Sequence, residues 1–372
     1  MKIGLDISSI SHGAGIGRYT GGLASSLAEV ARQKGSPLEL VYFSRRPLPP
    51  GLEPGAFRPA EIIVIPGNRV LFDQTKLTRA LRKSGLDVYH SPDYIIPRAD
   101  HGVPSVVTVH DLSFYDCPES VSPQALLLYR KFVPSSLEKA DIILADSEFT
   151  AGRIRDRFTR VAERVRVIHP GITPRIGQTT VIFEHELTHP YLLLVGTIEP
   201  RKNFPLALSV FRKMKEQRKT LEFVIIGRSG RGARRILAEI RRTPGVRYMN
   251  RADDSELETA YRRAAIFIYP SLYEGFGYPP VEAMAWGCPV LAANTSALPE
   301  SVNGGGLLVE PTHDAFLAAG RQLLDDPAFR AVIVDQGRAQ AEKFRWKYSV
   351  ARVLAAYEEA VRRYSKKRPE KP

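Results

Sequence analysis

Short runs of consecutive apolar residues alternate with longer stretches in which apolar positions recur every three or four residues. The first kind predicts buried strands and the second amphipathic helices. KIGLDIS, LELVYF, EIIVIP, DVYHS, SVVTVHD, DIILADS and VRVIHPG form a first array of predicted strands, up to Gly171. Helical spacing covers Arg18–Lys34, Phe72–Lys83 and Pro123–Lys139, and Ser147 caps a further helix with Glu148 in its first turn. Residues 172–189 lose the periodicity, with Pro174 and Gly177 inside and Pro190 at the end. A second array then repeats the grammar. YLLLVGT, LEFVIIG, VRYM, IFIY, the apolar run from Pro289 and GLLVEP are separated by helical stretches at Phe204–Lys215, Arg231–Arg242 and Ser255–Arg263, and by the short segment bearing Glu282. Helices at His313–Asp325 and Pro327–Lys343 and a long amphipathic helix opening near Trp346 complete the chain. The pattern predicts an α/β fold of two doubly wound domains with parallel sheets, 1–185 and 186–345, followed by a terminal helix at 346–372.

Composition narrows this. At 372 residues the chain exceeds one growing core, and 44% apolar with 25% charged residues is ordinary for a globular protein. Asp6 interrupts the first apolar run, and no stretch reaches the roughly 18 apolar residues of a spanning helix. A cytoplasmic or peripheral location is the expectation. Cys117 and Cys288 sit far apart in apolar settings, which predicts two buried thiols rather than a disulfide. No Cys/His cluster has zinc spacing and no Asp-x-Asp pair is present, so no required metal is expected. The net charge of +13 admits nucleic acid, an anionic membrane surface or phosphorylated substrates. Basic residues cluster at Arg153–Arg166, Arg228–Arg242 and the C-terminus without a nucleic-acid-binding signature, so nucleic acid is the weakest of the three.

The residues that carry chemistry fall just after predicted strands, where ligands of doubly wound sheets bind. GAGIGRYTGG, Gly13 to Gly22, fails the dinucleotide fingerprint because Arg18 stands in place of the third glycine. The run reads either as a flexible loop or as backbone that approaches a phosphate or sugar. His110, beside Asp111, reads as a structural histidine or as a group that meets a sugar hydroxyl or a reacting oxygen. Glu199-Pro200-Arg201-Lys202-Asn203 places two cations before a helix, either a solvated turn or a diphosphate site. There each cation is worth on the order of a few kcal/mol at about 4 Å from a phosphate oxygen. In the stretch from Ser271 to Glu300, Glu274, Gly275, Phe276 and Gly277 form a tight loop, and Pro279 and Pro280 open a short helix carrying Glu282. The two glutamates could be capping charges or a hydrolase acid/base pair, but one loop joins them beside a helix N-terminus. A carboxylate placed so suits the vicinal hydroxyls of a ribose better.

These motifs resemble those of the retaining, nucleotide-sugar-dependent glycosyltransferases of family 4, which have the GT-B fold. VGTIEPRKN, PSLYEGFGYPPVEAMAWGCPVLAAN and SALPE carry the likeness in the second half, with GIGRY, VVTVHDLSF and ADSEFT in the first. The resemblance implies two Rossmann-like domains facing a cleft, with the acceptor bound by the first and the sugar nucleotide by the second. The terminal helix would cross back to the first domain. Glu282 would hold the ribose, Glu274 would sit near the donor sugar, and Arg201 and Lys202 would hold the diphosphate. The backbone of Gly275, Phe276, Gly277 and Tyr278 would line the pocket, Gly15 and Gly17 would approach the diphosphate, and His110 would touch the transferred sugar. One departure is Thr197, where many members carry arginine; Arg201 stands close by in the chain to supply that cation. The EPRKN version is most similar to bacterial mannosyltransferases using GDP-mannose, so a hexosyl, preferably mannosyl, transfer is implied. The acceptor would be a glycan or a polyprenyl-diphosphate-linked glycan, with no cofactor beyond the donor, at the inner face of the cell membrane. An NADP-dependent oxidoreductase, using Ser44-Arg45-Arg46 after the second strand, and a non-catalytic sugar-nucleotide-binding protein are the alternatives.

Overall fold

A computed structural model describes residues 1–11, 15–48, 54–67, 72–173 and 189–367. The chain forms two compact units. Unit 1 comprises Met1–Leu112, Gln124–Gly171 and Arg345–Pro372, and unit 2 comprises Ser113–Pro123 and Ile172–Phe344.

Unit 1 is built on seven parallel strands: β1 Lys2–Asp6, β2 Glu39–Ser44, β3 Glu61–Val64, β4 Val88–Ser91, β5 Ser105–Val109, β6 Ile142–Ala145 and β7 Val165–Val167. Their order across the sheet is β3-β2-β1-β4-β5-β6-β7. Strands β4, β5 and β6 are buried at every position, while the edge strand β3 has exposed ends, as sheets covered on both faces require. Helices α1 Gly15–Arg32, α2 Leu77–Lys83, α3 Pro123–Lys139 and α4 Glu148–Arg157 connect the strands. Ser147 caps α4, its Oγ accepting from Thr150 N at 3.0 Å.

Unit 2 has six parallel strands: β8 Tyr191–Val195, β9 Glu222–Ile226, β10 Val246–Met249, β11 Ile266–Tyr269, β12 Val290–Ala293 and β13 Leu307–Val309, in the order β10-β9-β8-β11-β12-β13. Its helices are α5 Phe204–Gln217, α6 Ala233–Arg242, α7 Asp254–Arg263, α8 Tyr278–Ala285, α9 His313–Asp325 and α10 Pro327–Glu342. The final helix, α11 Trp346–Lys367, packs into unit 1 against α1, β4, β5 and β6. Trp346 is the anchor. A Cβ on Gly22 or Gly171 would come within 2.2 and 2.4 Å of its indole, so the two glycines form its seat. Further along, Tyr357 Oη lies 2.7 Å from His90 Nδ1 and Ser349 Oγ donates to His169 O at 2.8 Å.

Three features differ from the sequence-based expectation. Helix α1 starts at Gly15, not Arg18, so Gly15 and Gly17 are its first turn rather than a loop. Thr20 Oγ1 donates to Ile16 O at 2.8 Å and sits 2.7 Å from Ser9 Oγ, which ties the start of α1 to the segment after β1. The rest of that loop, residues 12–14, and the expected boundary at 185/186 lie outside the described residues. Second, Ser113–Pro123 joins unit 2: Tyr273 Oη donates to Asp116 Oδ2 at 2.9 Å, and Arg231 Nη1 to Val121 O at 2.6 Å. Third, Cys288 is buried as expected, but Cys117 is only half-buried.

Candidate active site

Sheet order alone locates the site in unit 2. The chain runs outward from β8 through β9 to β10, crosses to β11 on the other side of β8 and continues to β12 and β13, so the strand order reverses between β8 and β11. Ligands of doubly wound sheets bind beyond the carboxyl ends of the strands at such a reversal. The loop after β8 carries Glu199, Arg201 and Lys202, and the loop after β11 carries Glu274. The structure brings them together. Lys202 Nζ donates to Glu274 Oε1 at 2.5 Å and to Tyr269 Oη at 2.8 Å, and Tyr269 Oη in turn donates to Glu274 Oε1 at 2.8 Å. Arg201 Nη1 donates to Glu274 Oε2 at 3.2 Å and to Tyr273 O at 2.7 Å, and its Nε lies 2.6 Å from Glu199 Oε1. Two cations and two carboxylates therefore neutralise one another.

Backbone bonds hold the loops in register. Leu272 N donates to Arg201 O at 2.7 Å, and Ser296 Oγ, from the loop after β12, accepts from Glu274 N at 2.9 Å. Lys202 and Glu274 are 7% and 6% exposed, so their charges act in a weakly screened medium. Burial opposes the charge on Glu274, but Lys202 and Arg201 outweigh it and hold the carboxyl down to about 2. Burial, aided by Arg201, draws the Lys202 ammonium below its usual value, and burial also keeps Tyr269 a neutral phenol. A carboxyl held this low stays ionised near neutrality and does not serve as a general acid.

Glu282 lies within α8 and is bonded differently: Tyr261 Oη donates to its Oε2 at 3.1 Å. The loop before α8 turns at Gly277, whose φ of +97° and whose Cβ position, 2.8 Å from Leu298 Cδ2, both exclude a side chain. Phe276 explains the bulky residue between two glycines. It is 3% exposed and packs edge-on against Phe344 and Tyr278, so its ring is a core anchor and only its backbone is left to meet a ligand.

In unit 1 the sheet order reverses between β1 and β4. Gly15 and Gly17 follow β1, and their N–H groups belong to the first turn of α1, where no intrahelical acceptor exists. His110 follows β5 and is buried. Its Nδ1 lies 2.7 Å from Asp146 Oδ2 and its Nε2 2.7 Å from Pro92 O. Both ring nitrogens are thus engaged by protein acceptors, so in this arrangement the ring has no N–H left over for a sugar hydroxyl. Arg164, one of the basic cluster, is also engaged, donating to Glu138 O at 2.9 Å.

Sequence reasoning passed over Tyr269, Asp146, Tyr261 and Glu199 as site residues. Tyr269 looks like the end of an apolar strand, and Asp146 like part of a cap sequence. A polar residue closing an otherwise apolar strand was the available signal.

Residues 179–340 match the family of Glycosyl transferases group 1, and residues 14–175 match Glycosyltransferase Family 4. The chain is 30% identical over 296 residues to the O-antigen chain mannosyltransferase B of Escherichia coli, covering 75% of this chain and 76% of that one. It is 29% identical to a D-inositol 3-phosphate glycosyltransferase of Thermobispora bispora (92% and 91% covered) and 28% to an MMP alpha-(1->4)-mannosyltransferase of Mycolicibacterium hassiacum (96% and 98% covered). Among solved structures, the sucrose-phosphate synthase of Thermosynechococcus elongatus superposes with a TM-score of 0.73 at 20% identity, over 96% of this chain and 98% of that one, which supports the GT-B architecture of two Rossmann-like units. A paired cation and carboxylate at the switch point, the two family matches and these relatives agree: the chain belongs to the group 1/family 4 glycosyltransferases, and it is a glycosyltransferase of GT-B fold.

Proposed function

We propose that the chain transfers a hexose, preferably mannose, from a nucleoside-diphosphate sugar, preferably GDP-mannose, to a glycan or polyprenyl-diphosphate-linked acceptor. The carrying observation is the Arg201–Lys202–Glu274 cluster at the switch point of unit 2. A donor diphosphate replaces Glu274 as the partner of the two cations, and the freed carboxylate turns to the sugar. Glu282 accepts from the ribose hydroxyls. The reaction breaks the bond from the anomeric carbon to the phosphate oxygen and forms the bond to the acceptor oxygen on the same face. The acceptor proton passes to the leaving phosphate, so configuration is retained without a metal. Arg201 and Lys202 stabilise the negative charge that grows on the leaving group. His110, Gly15 and Gly17 of unit 1 serve the same reaction. Mannose is favoured by the two mannosyltransferase relatives.

Thermal stabilisation across GDP-mannose, UDP-glucose, UDP-N-acetylglucosamine and dTDP-rhamnose tests the donor, because a ligand at 100 times its Kd adds about 2.7 kcal/mol. The largest shift is expected with GDP-mannose. A shift with a UDP-sugar alone would reassign the donor. Glu282→Ala should weaken donor binding, and unchanged affinity would remove it from the ribose. Activity should persist in EDTA, and a loss restored by manganese would overturn metal independence. No helix among the described residues is long and apolar enough to cross a membrane. Peripheral attachment through the exposed Arg157 and Arg160 is proposed instead, with binding to anionic liposomes that weakens as salt rises.

A further inference from the structure

The environment of His110 is more specific than its proximity to a ligand requires. Nε2 faces a carbonyl oxygen, Pro92 O, which can only accept. Nδ1 faces Asp146 Oδ2, and that carboxylate is 2% exposed with its other oxygen, Oδ1, lacking a hydrogen-bond partner among the described residues. A buried carboxylate with one hydrogen bond needs a cation beside it. With Asp146 ionised, a ring with an acceptor at each nitrogen satisfies both only when doubly protonated.

We propose that Asp146 is a positioning residue that holds His110 as a fixed imidazolium throughout the neutral range, so that His110 serves glycosyl transfer as a permanent, oriented cation and never as a proton-transfer base.

The surroundings agree. Burial opposes charge on the ring, but the Asp146 carboxylate overcomes it and raises His110 to about 9. Asp93, after β4, adds to that rise, and Asp111 and His169 act on Asp146 with opposite signs. Burial raises the Asp146 carboxyl, and the charge and hydrogen bond of His110 act against that rise. His90 is the contrasting case. Its nitrogens face the hydroxyls of Tyr357 and Thr108, which can donate or accept, and burial followed by the charge of His110 depresses it to about 3. One neutral and one charged histidine thus share the core. The rings of Tyr19 and Tyr94 stand edge-on to His110 at 4.9 and 5.6 Å, and Thr150 Oγ1 donates to its carbonyl at 3.2 Å, so the ring has little freedom to turn.

This inference rests on the proposed role of His110 in turnover, and the experiment separates the two. Nitrogen-15 NMR of the full-length protein, with the His110 signal assigned by its loss in His110→Gln, reads the ring directly. Both nitrogens are expected to be protonated at pH 7.5, with deprotonation above pH 8. A neutral ring at pH 7.5 overturns the inference whatever the activity. In Asp146→Asn the NMR midpoint and the alkaline limb of kcat should both move down by at least about one pH unit. Turnover at pH 8 should fall about tenfold, with donor KM within about twofold. A limb unmoved by Asp146→Asn overturns the positioning role. Full turnover in His110→Gln, with an imidazolium present in the wild type, instead removes His110 from the reaction and with it the role assigned to Asp146. Asp146→Glu, which keeps the charge, should restore the limb in part.

Discussion

The two units share a sheet grammar and place opposite chemistry at their strand ends. In unit 2 the buried carboxylate Glu274 faces two cations and a phenol, and the cluster sits at the strand ends where the order reverses between β8 and β11. In unit 1 the buried carboxylate Asp146 faces one histidine, displaced from the reversal point to the ends of β5 and β6. A carboxylate shared by two cations suits exchange for a phosphate. A lone pair with every donor engaged suits a fixed charge. Homologous topology therefore supplies locations, and the side chains at those locations decide whether a site is exchangeable or rigid.

Lys202→Met breaks this contrast most severely. It leaves Glu274 buried with one cation, and stability should fall by about 3 kcal/mol, as when one partner of a buried pair is removed. Turnover should fall about a hundredfold or more. Urea unfolding and kcat measure the two effects, and near-wild-type values for both would show that Arg201 alone suffices. Gly22→Ala acts on unit 1 only, because the added Cβ meets the Trp346 indole. A loss of about 1–3 kcal/mol is expected, with hydrogen exchange rising in α11 and α1 while unit 2 is unaffected. Tyr269→Phe removes one acceptor from Lys202 and one donor from Glu274, and should cost about 1–2 kcal/mol with a smaller loss of turnover.

pH sharpens the comparison with the smallest change per step. Glu274 is held below its ordinary value of 4.5, so the stability it contributes is full above that value and is lost as pH falls toward about 2. His110 is held above its ordinary 6.5, so its contribution is full below that value and is lost as pH rises through about 9. Hydrogen exchange read unit by unit should show unit 2 loosening first in acid and unit 1 first in alkali. The same unit loosening first at both extremes would contradict the assignment of these charges.

Most of the fold was legible because buried parallel strands are short, uninterrupted apolar runs and their connections are strongly periodic. The Arg201-Lys202 pair and the two glutamates were legible as a candidate site for a different reason. Residues that follow strands have no core to fill, so charge and glycine there stand out. His110 was visible as a candidate, but its commitment to Pro92 O was not, since a backbone carbonyl leaves no mark in a sequence. The loop expected at Gly15 and Gly17 is helix, and the Ser9–Thr20 contact beside it joins two ordinary polar residues that the sequence does not mark as partners.

By itself the sequence determined the class of fold, the two arrays, the glycines that permit Gly277's backbone and Trp346's seat, and the charges available at strand ends. Only the tertiary structure decided which of those charges meet. Strand order is set by crossover packing over the whole sheet, so the neighbourhood of β8 with β11, which brings together residues 72 apart in the chain, cannot be read from either segment. That neighbourhood joins Lys202 to Glu274, and the pairing of β5 with β6 likewise joins His110 to Asp146. The energies of both pairs depend on burial and distance, quantities that exist only once the chain has closed on itself.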